Sequence, residues 1–367
     1  MAVSDVGATI GVEEEFHLVD VATMALADAP GVLTSARALL GDGAQGEIST
    51  SQLEIVTPVC TSLASVRAEL VRLRRGAAAA AEEHRCRLLA AGSHPSATWR
   101  EQRMTADQRY RSIGDRLGLL AHQQLIAGTH VHVGVPDPEL AVQVLDRLRP
   151  DLPVLIALAG SSPFWEGVDS GYASYRTQWF ARFPVAGASE PLGSRAAYEA
   201  VVADLVASGV VDDASHLYWD ARPSSRFPTV EIRVADACPR VSDVVLQAGL
   251  SRSLVRLAAA QALADEPFPE PRPEVVRAAR WRAARDGLEG KLFDLHTDTL
   301  QPAALVVEGL LARLRNDLED AGEWDEVSAL AADLLARGTS ATEQRRAAER
   351  GGLDAVCRLL VGQLLSG

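Results

Sequence analysis

Three segments of this chain alternate apolar and polar residues with a period of two, and in each the polar positions hold side chains able to bind a cation or an anion. In Thr9-Ile-Gly-Val-Glu-Glu-Glu-Phe-His-Leu-Val-Asp20, Ile10, Val12, Phe16 and Leu18 share one face of a strand, with Glu13 and Glu15 on the other. Glu14 is left on the apolar side, where it needs a partner such as an arginine. Gly128-Thr-His-Val-His-Val-Gly-Val135 sets Val131, Val133 and Val135 against His130 and His132, between glycines that let a ligand approach. Thr229-Val-Glu-Ile-Arg-Val-Ala-Asp236 sets Val230, Ile232 and Val234 against Glu231 and Arg233. Strands of this kind call for one sheet with a covered apolar face and an open functional one.

Taken singly, each segment has a plainer reading: an acidic strand face turned to solvent, hydrogen-bonded histidine fillers, or a structural Glu/Arg pair. Glu47 and Glu54 frame Glu-Ile-Ser-Thr-Ser-Gln-Leu-Glu and lie on opposite faces of a regular strand. They can share a site only if the chain bends or bulges at Ser49-Thr50-Ser51. Electrostatics favours a shared site. Several carboxylates on one face repel, and some would be forced to hold protons unless cations offset them. Mixed Glu and His ligands suit Mg²⁺ or Mn²⁺ better than zinc. A phosphate-bearing substrate would then need a positive group, and Arg233 beside Glu231 is placed for it.

Composition sets the outer limits. With 36 basic against 49 acidic residues the net charge is −13, which disfavours nucleic acid as a partner. The 47% apolar and 23% charged content is that of a globular chain. The longest stretch without formal charge, Leu117–Pro136, holds three His and two Gln, so no membrane segment is expected. The first 36 residues lack Lys and Arg, which argues against an export signal and for the cytoplasm. Four scattered cysteines form no Cys-x-x-Cys pair and agree with a reducing compartment. The single lysine, Lys291, lies in Gly-Leu-Glu-Gly-Lys-Leu, so there is no P-loop and any ATP must be held through metals and arginines.

The class expected is α+β. Strand-like runs at 9–20, 47–58, 87–92, 129–136 and 229–235 alternate with helical patterns at 63–91, 105–126, 138–158, 194–208 and 241–264. After the Pro-rich break at 266–273 the chain reads as helix throughout, at 274–286, 300–321, 324–336, 340–349 and 353–365. The expectation is a single domain over residues 1–367, with a core at 9–265 and a helical extension at 273–367 packed on the sheet.

Taken together, Gly11-Val-Glu-Glu-Glu-Phe-His-Leu-Val, Gly-Thr-His130-Val-His-Val-Gly, Ser162-Pro-Phe-Trp165, Tyr175-Arg176 and Val230-Glu-Ile-Arg-Val-Ala-Asp-Ala-Cys-Pro239 resemble the bacterial carboxylate–amine ligases of the glutamate–cysteine ligase type 2 family. The likeness is collinear from residue 9 to about 295. It implies a glutamine-synthetase-like curved antiparallel sheet, a half barrel with helices outside, and ATP-dependent amide formation through an acyl phosphate. By position it implies Glu13, Glu15, Glu47, Glu54, His130 and Glu231 as metal ligands and Arg233 at the γ-phosphate. Arg176 would hold a carboxylate of the acidic substrate, and His132 a site position of less defined role. Glutamate and cysteine are the implied amino-acid substrates. Arg280, Arg282 and Arg285 could reach the nucleotide, but a solvated basic face is the plainer reading. Two rival classes are a metal-dependent amidohydrolase built on His-x-His and a non-catalytic nucleotide or amino-acid sensor. A symmetric homodimer is the default oligomer.

Overall fold

The computed structural model describes residues 5–366. Its sheet is built around β1 (Ile10–Asp20), the longest strand, joined by β2 (Ala44–Gly46), β3 (Gln52–Val56), β4 (Cys86–Leu89), β5 (Gly128–Gly134), β6 (Ala221–Pro223) and β7 (Thr229–Asp236). The seven strands run in the order β6-β7-β5-β1-β3-β2, with β4 alongside β1. Every pairing in this sheet is antiparallel. One edge of β1 carries β3 over Glu13–His17; the other carries β5 over Ile10–Glu14 and then β4 over His17–Asp20. Pairing on both edges fixes register, so the faces read from the sequence are the faces that form.

The main helices are α1 (Gly31–Leu40), α2 (Leu63–Glu83), α3 (Gln108–Leu117), α4 (Pro138–Leu148), α5 (Leu152–Leu158), α6 (Tyr175–Phe180), α7 (Arg195–Ala207), α8 (Val241–Leu263), α9 (Pro273–Asp286), α10 (Ala303–Asp320), α11 (Trp324–Arg337) and α12 (Ser340–Gln363). Among them α2, α4, α5 and α8 pack on the apolar face, while α3 and α6 carry residues of the open one. α2 begins at a capping box in which Ser62 and Ser65 exchange side-chain and backbone hydrogen bonds of 3.1 and 3.2 Å. It ends at Glu83, short of the expected 91, because Arg85 turns the chain at φ 57° into β4. In α8 every residue from Val241 to Val255 is buried, between the sheet and the later helices. Val12, Val131 and Ile232 of the sheet belong to one apolar cluster with Val244 and Leu254 of α8, Leu310 of α10 and Val327 of α11. The carboxyl-terminal helices therefore share the core of the sheet.

Two local readings change. The run 47–58 is not one strand: β2 and β3 form a hairpin with Gln45 opposite Glu54, and residues 47–51 make the turn. The carboxyl third also contains a small hairpin, Lys291–Asp294 with Thr299–Pro302, whose short and largely exposed strands lack the apolar alternation that reveals a buried one. Among the described residues no helix is long and apolar enough to cross a membrane.

Glu14, stranded on the apolar face, meets Arg74 of α2. The guanidinium reaches its two carboxylate oxygens at 3.0 and 2.5 Å, and both side chains are at most 1% exposed. The remaining Arg74 N–H groups donate to the carbonyls of Cys238, Pro239 and Leu364, each at 2.7 Å. A buried pair is tolerable when its spare donors are satisfied in this way.

Candidate active site

The open face of the sheet floors a cavity of about 980 Å³. Strand register decides who meets whom there. Glu13 stands opposite His130, Glu15 opposite Glu54, and Glu231 opposite His132. His130 Nδ1 and His132 Nε2 each lie 3.2 Å from a Glu13 oxygen, and Glu15 accepts a 2.6 Å hydrogen bond from the Gly128 N–H. Glu47 reaches the same floor by the hairpin. Once the chain leaves β2 the two-residue parity no longer applies, and the side chain folds back beside Glu54. Three sets of donor atoms each lie within 4.8 Å of one another: Glu13, His132 and Glu231; Glu13, Glu54 and His130; Glu15, Glu47 and Glu54. All six residues expected as ligands converge, and His132 joins them.

The charges here are incompletely balanced. Burial, and then the charge of Glu15, push the Glu47 carboxyl up to about 8. Burial, with Glu13, Glu47 and Glu15 nearby, holds Glu54 well above the ordinary carboxylate range. Burial would also raise Glu13, but hydrogen bonds from His130 and His132 hold it well below. His130 is moved down, by burial and then by Arg233. The Nε2 atom of His130 is buried and makes no hydrogen bond among the described residues. Carboxylates driven to hold protons, beside an imidazole nitrogen without a hydrogen bond, form a donor set suited to divalent cations.

Two arginines face this floor. β7 pairs with β5 through a register shift between Ile232 and Ala235, so Arg233 and Val234 stand opposite His130 alone. This bulge re-aims Arg233 over the acids, and its N–H is held by the Asp220 carbonyl at 2.8 Å. The Arg233 guanidinium rests on Glu231. Arg176 sits in the first turn of α6, capped by Ser174, and is 4% exposed. It lies flat on Gly128, where any Cβ would collide with the guanidinium. Its Nε has no partner and its Nη atoms make only long bonds, 3.5 and 3.4 Å, to the carbonyls of Val234 and Arg233. A buried guanidinium with unused donors is built for a carboxylate or phosphate.

Residues that pattern reading passed over complete the walls. Arg222 of β6 lies opposite Glu231, donates to it at 2.9 Å, and is anchored on the carbonyls of Ser215 and Leu217 at 2.6 and 2.8 Å. With Arg233 it holds Glu231 ionised well below its ordinary range, against the opposing effect of burial. The Ala221–Pro223 strand is too short to show alternation; only its pairing with β7 exposes the role. Tyr110 of α3 donates to the Gly46 carbonyl at 2.9 Å and ties α3 to the hairpin bearing Glu47. Arg280, by contrast, is buried against Asp220 at 2.7 Å, and so is not part of a solvated face. Arg282 pairs with Asp286 and Arg285 with the Gly171 carbonyl, and none of the three lines the cavity.

Comparison with known proteins points to one family. The family model described as Glutamate-cysteine ligase family 2 (GCS2) matches residues 9–359. A Frankia alni protein named "Putative glutamate--cysteine ligase 2-2" is 44% identical over 375 residues, covering 96% of each chain. Among solved structures, a glutamate–cysteine ligase of Francisella tularensis in complex with AMP superposes with a TM-score of 0.72 at 15% identity, over 99% of this chain and 90% of that one. A bifunctional glutathione synthetase of Pasteurella multocida gives 0.73 at 16% identity, over 99% of this chain and 53% of that one. The fold is the one they share, and the class is that of the ATP-dependent carboxylate–amine ligases. This chain belongs to glutamate–cysteine ligase family 2.

Proposed function

We propose that the enzyme joins the side-chain carboxylate of glutamate to the amine of cysteine, with ATP as the phosphoryl donor, and that the whole chain acts as one ligase domain in the cytoplasm. The observation that carries this reading is the convergence of six acidic and histidine ligands with two under-satisfied arginines on one sheet face. Glu13, Glu15, Glu47, Glu54, His130 and Glu231 would hold Mg²⁺, or Mn²⁺ in its place. When bound, such cations neutralise the charge that spreads over a transferring phosphoryl group.

Arg176 takes a carboxylate of the acidic substrate and aims its reacting end at the acid floor. An oxygen of that end attacks the γ-phosphorus, the bond from that phosphorus to the bridging oxygen breaks, and ADP leaves. Arg233, freed from Glu231, meets the charge developing on the phosphoryl oxygens, while Arg222 keeps Glu231 in place. The amine nitrogen then attacks the acyl carbon, the carbon–oxygen bond to phosphate breaks, and phosphate departs as the nitrogen gives up a proton. Positioning and electrostatics supply the acceleration, so no nucleophilic side chain is required.

The test is ADP release over a panel of acid and amine pairs with Mg²⁺, followed by identification of the product. Glutamate with cysteine is expected to give γ-glutamylcysteine. ADP release only with a different pair would overturn the substrates and keep the class. Hydrolysis of an amide without nucleotide would favour the amidohydrolase reading instead.

A further inference from the structure

In-line transfer sets the attacking carboxylate and the leaving ADP on opposite sides of the phosphorus. β7 marks out that line. Phe227 precedes the strand, Glu231 and Arg233 follow along it, and Asp236 ends it 3.9 Å from Arg176. At about 3.3 Å per residue, Arg233 stands roughly 13 Å beyond Thr229, at the strand's start. Arg176 occupies the far end with its unused donors, which leaves the Phe227 end for the departing nucleotide.

That end carries an unusual side chain. Phe227 is 58% exposed and lines the cavity, and no other exposed large apolar side chain among the described residues does so. Its ring stands nearly perpendicular to that of His132, with centroids 6.2 Å apart. The tip of the β6–β7 hairpin that presents it is held in shape. Ser224 Oγ accepts from the Arg226 and Phe227 N–H groups at 3.3 and 3.4 Å, and the Ser224 N–H donates to the Thr229 carbonyl at 2.9 Å. An aromatic ring kept on a fixed tip over a polar cavity, with neither burial nor a hydrogen bond to explain it, gains most from covering by another flat, apolar face.

We propose that Phe227 is the platform on which the base of the nucleotide stacks, and that it sets the affinity for a nucleotide over a bare polyphosphate. The inference rests on the reading that ATP supplies the phosphoryl group. Every nucleobase offers a π-face to such a ring.

The test compares the full-length wild type with Phe227→Ala and Phe227→Trp. Binding of ATP and of inorganic tripolyphosphate, which has no base, is measured by calorimetry with Mg²⁺ present, alongside KM and kcat from ADP release. Phe227→Ala is expected to weaken ATP roughly tenfold or more in Kd and KM, a rise exceeding any fall in kcat, while tripolyphosphate binding is unmoved. Phe227→Trp is expected to restore ATP binding. Unchanged ATP affinity in Phe227→Ala, or an equal loss for tripolyphosphate, would overturn the platform. A wild type that binds ATP but releases no ADP with any pair defeats the ligase reading, and the binding comparison still decides Phe227.

Discussion

Glu14 and its neighbours Glu13 and Glu15 are consecutive residues of one strand, yet the protein treats their charges in opposite ways. Glu14 is at most 1% exposed and fully matched by Arg74, whose other donors are spent on three carbonyls. Glu13 and Glu15 belong to clusters of glutamates and histidines on the cavity floor, where Glu47 and Glu54 are pushed toward holding protons. A carboxylate whose partner is permanent stabilises a fold. Carboxylates left short of partners are held for a ligand, and the structure tolerates their repulsion to keep them ready.

The largest effect should come from breaking the matched side. Arg74→Met leaves Glu14 buried and unpaired, with three carbonyls short of a donor, and should lose about 3–5 kcal/mol in denaturant unfolding. Adding Glu14→Leu should recover much of that loss. A single-variant loss below about 1 kcal/mol would mean that the pair is not the anchor its geometry describes.

Breaking the unmatched side should do the reverse. Arg233→Ala is expected to lower kcat about 10²–10³-fold with little change in unfolding, since its charge serves the transferring group. Glu54→Gln should cut activity or metal affinity by about 10–100-fold while leaving the metal-free protein as stable as the wild type, or more so, because it removes repulsion. Loss of stability in both variants, in step with activity, would erase the distinction.

Much of this contrast was legible in the sequence because period-two alternation on β1, β5 and β7 reports faces directly. Glu13, Glu15, His130, His132, Glu231 and Arg233 could be sorted without any structure, and the need of Glu14 for an arginine followed from the same count. The rest depends on pairing, which a single strand does not reveal. Glu47 lies in a turn, where parity ceases to hold, and Arg222 lies on a three-residue strand. The burial of Arg280 depends on Asp220, sixty positions away in the chain and recognisable only once α9 packs beside it.

A smaller effect follows from the acids alone. Glu47 and Glu54 have folded-state values raised above those of an unfolded chain, so at these two groups the metal-free folded protein binds more protons than the unfolded one. Their contribution is present in full below the ordinary carboxylate range and is lost as pH rises toward about 8 for Glu47. Glu13 and Glu231, shifted the other way, are ionised in both states above pH 6 and add no slope there. Above about pH 7.5, where the downward-shifted histidines are neutral in both states, the Tm of metal-free protein should therefore fall by a few degrees toward pH 9, and saturating Mg²⁺ should flatten the decline. At pH 7, cation binding should release roughly one to two protons from Glu47 and Glu54, read by calorimetry in buffers of different ionisation enthalpy. A flat metal-free profile with no proton release would show that the acids already have partners.

The smallest effect belongs to a charge that is matched and also far from the cavity. Arg282 pairs with Asp286 one turn along α9, with both side chains partly exposed, at 34% and 26%. Exposed pairs at this spacing contribute about 0.3–0.5 kcal/mol, so Arg282→Ala should move the unfolding free energy by no more than that. Because Arg282 lies outside the cavity lining, KM for ATP should not change. The value of the experiment lies in its pairing with Arg280→Ala. Arg280 is buried on the same helix and holds Asp220, whose carbonyl fixes the bulge that aims Arg233. If burial against Asp220 decides a charge's role, the Arg280 variant should lose both stability and kcat, while the Arg282 variant loses no more stability than its pair supplies and keeps its kcat. A rise in KM for ATP on removing Arg282 would bring the nucleotide to the outer surface of α9, and the assignment of its base to the Phe227 end would fall with it.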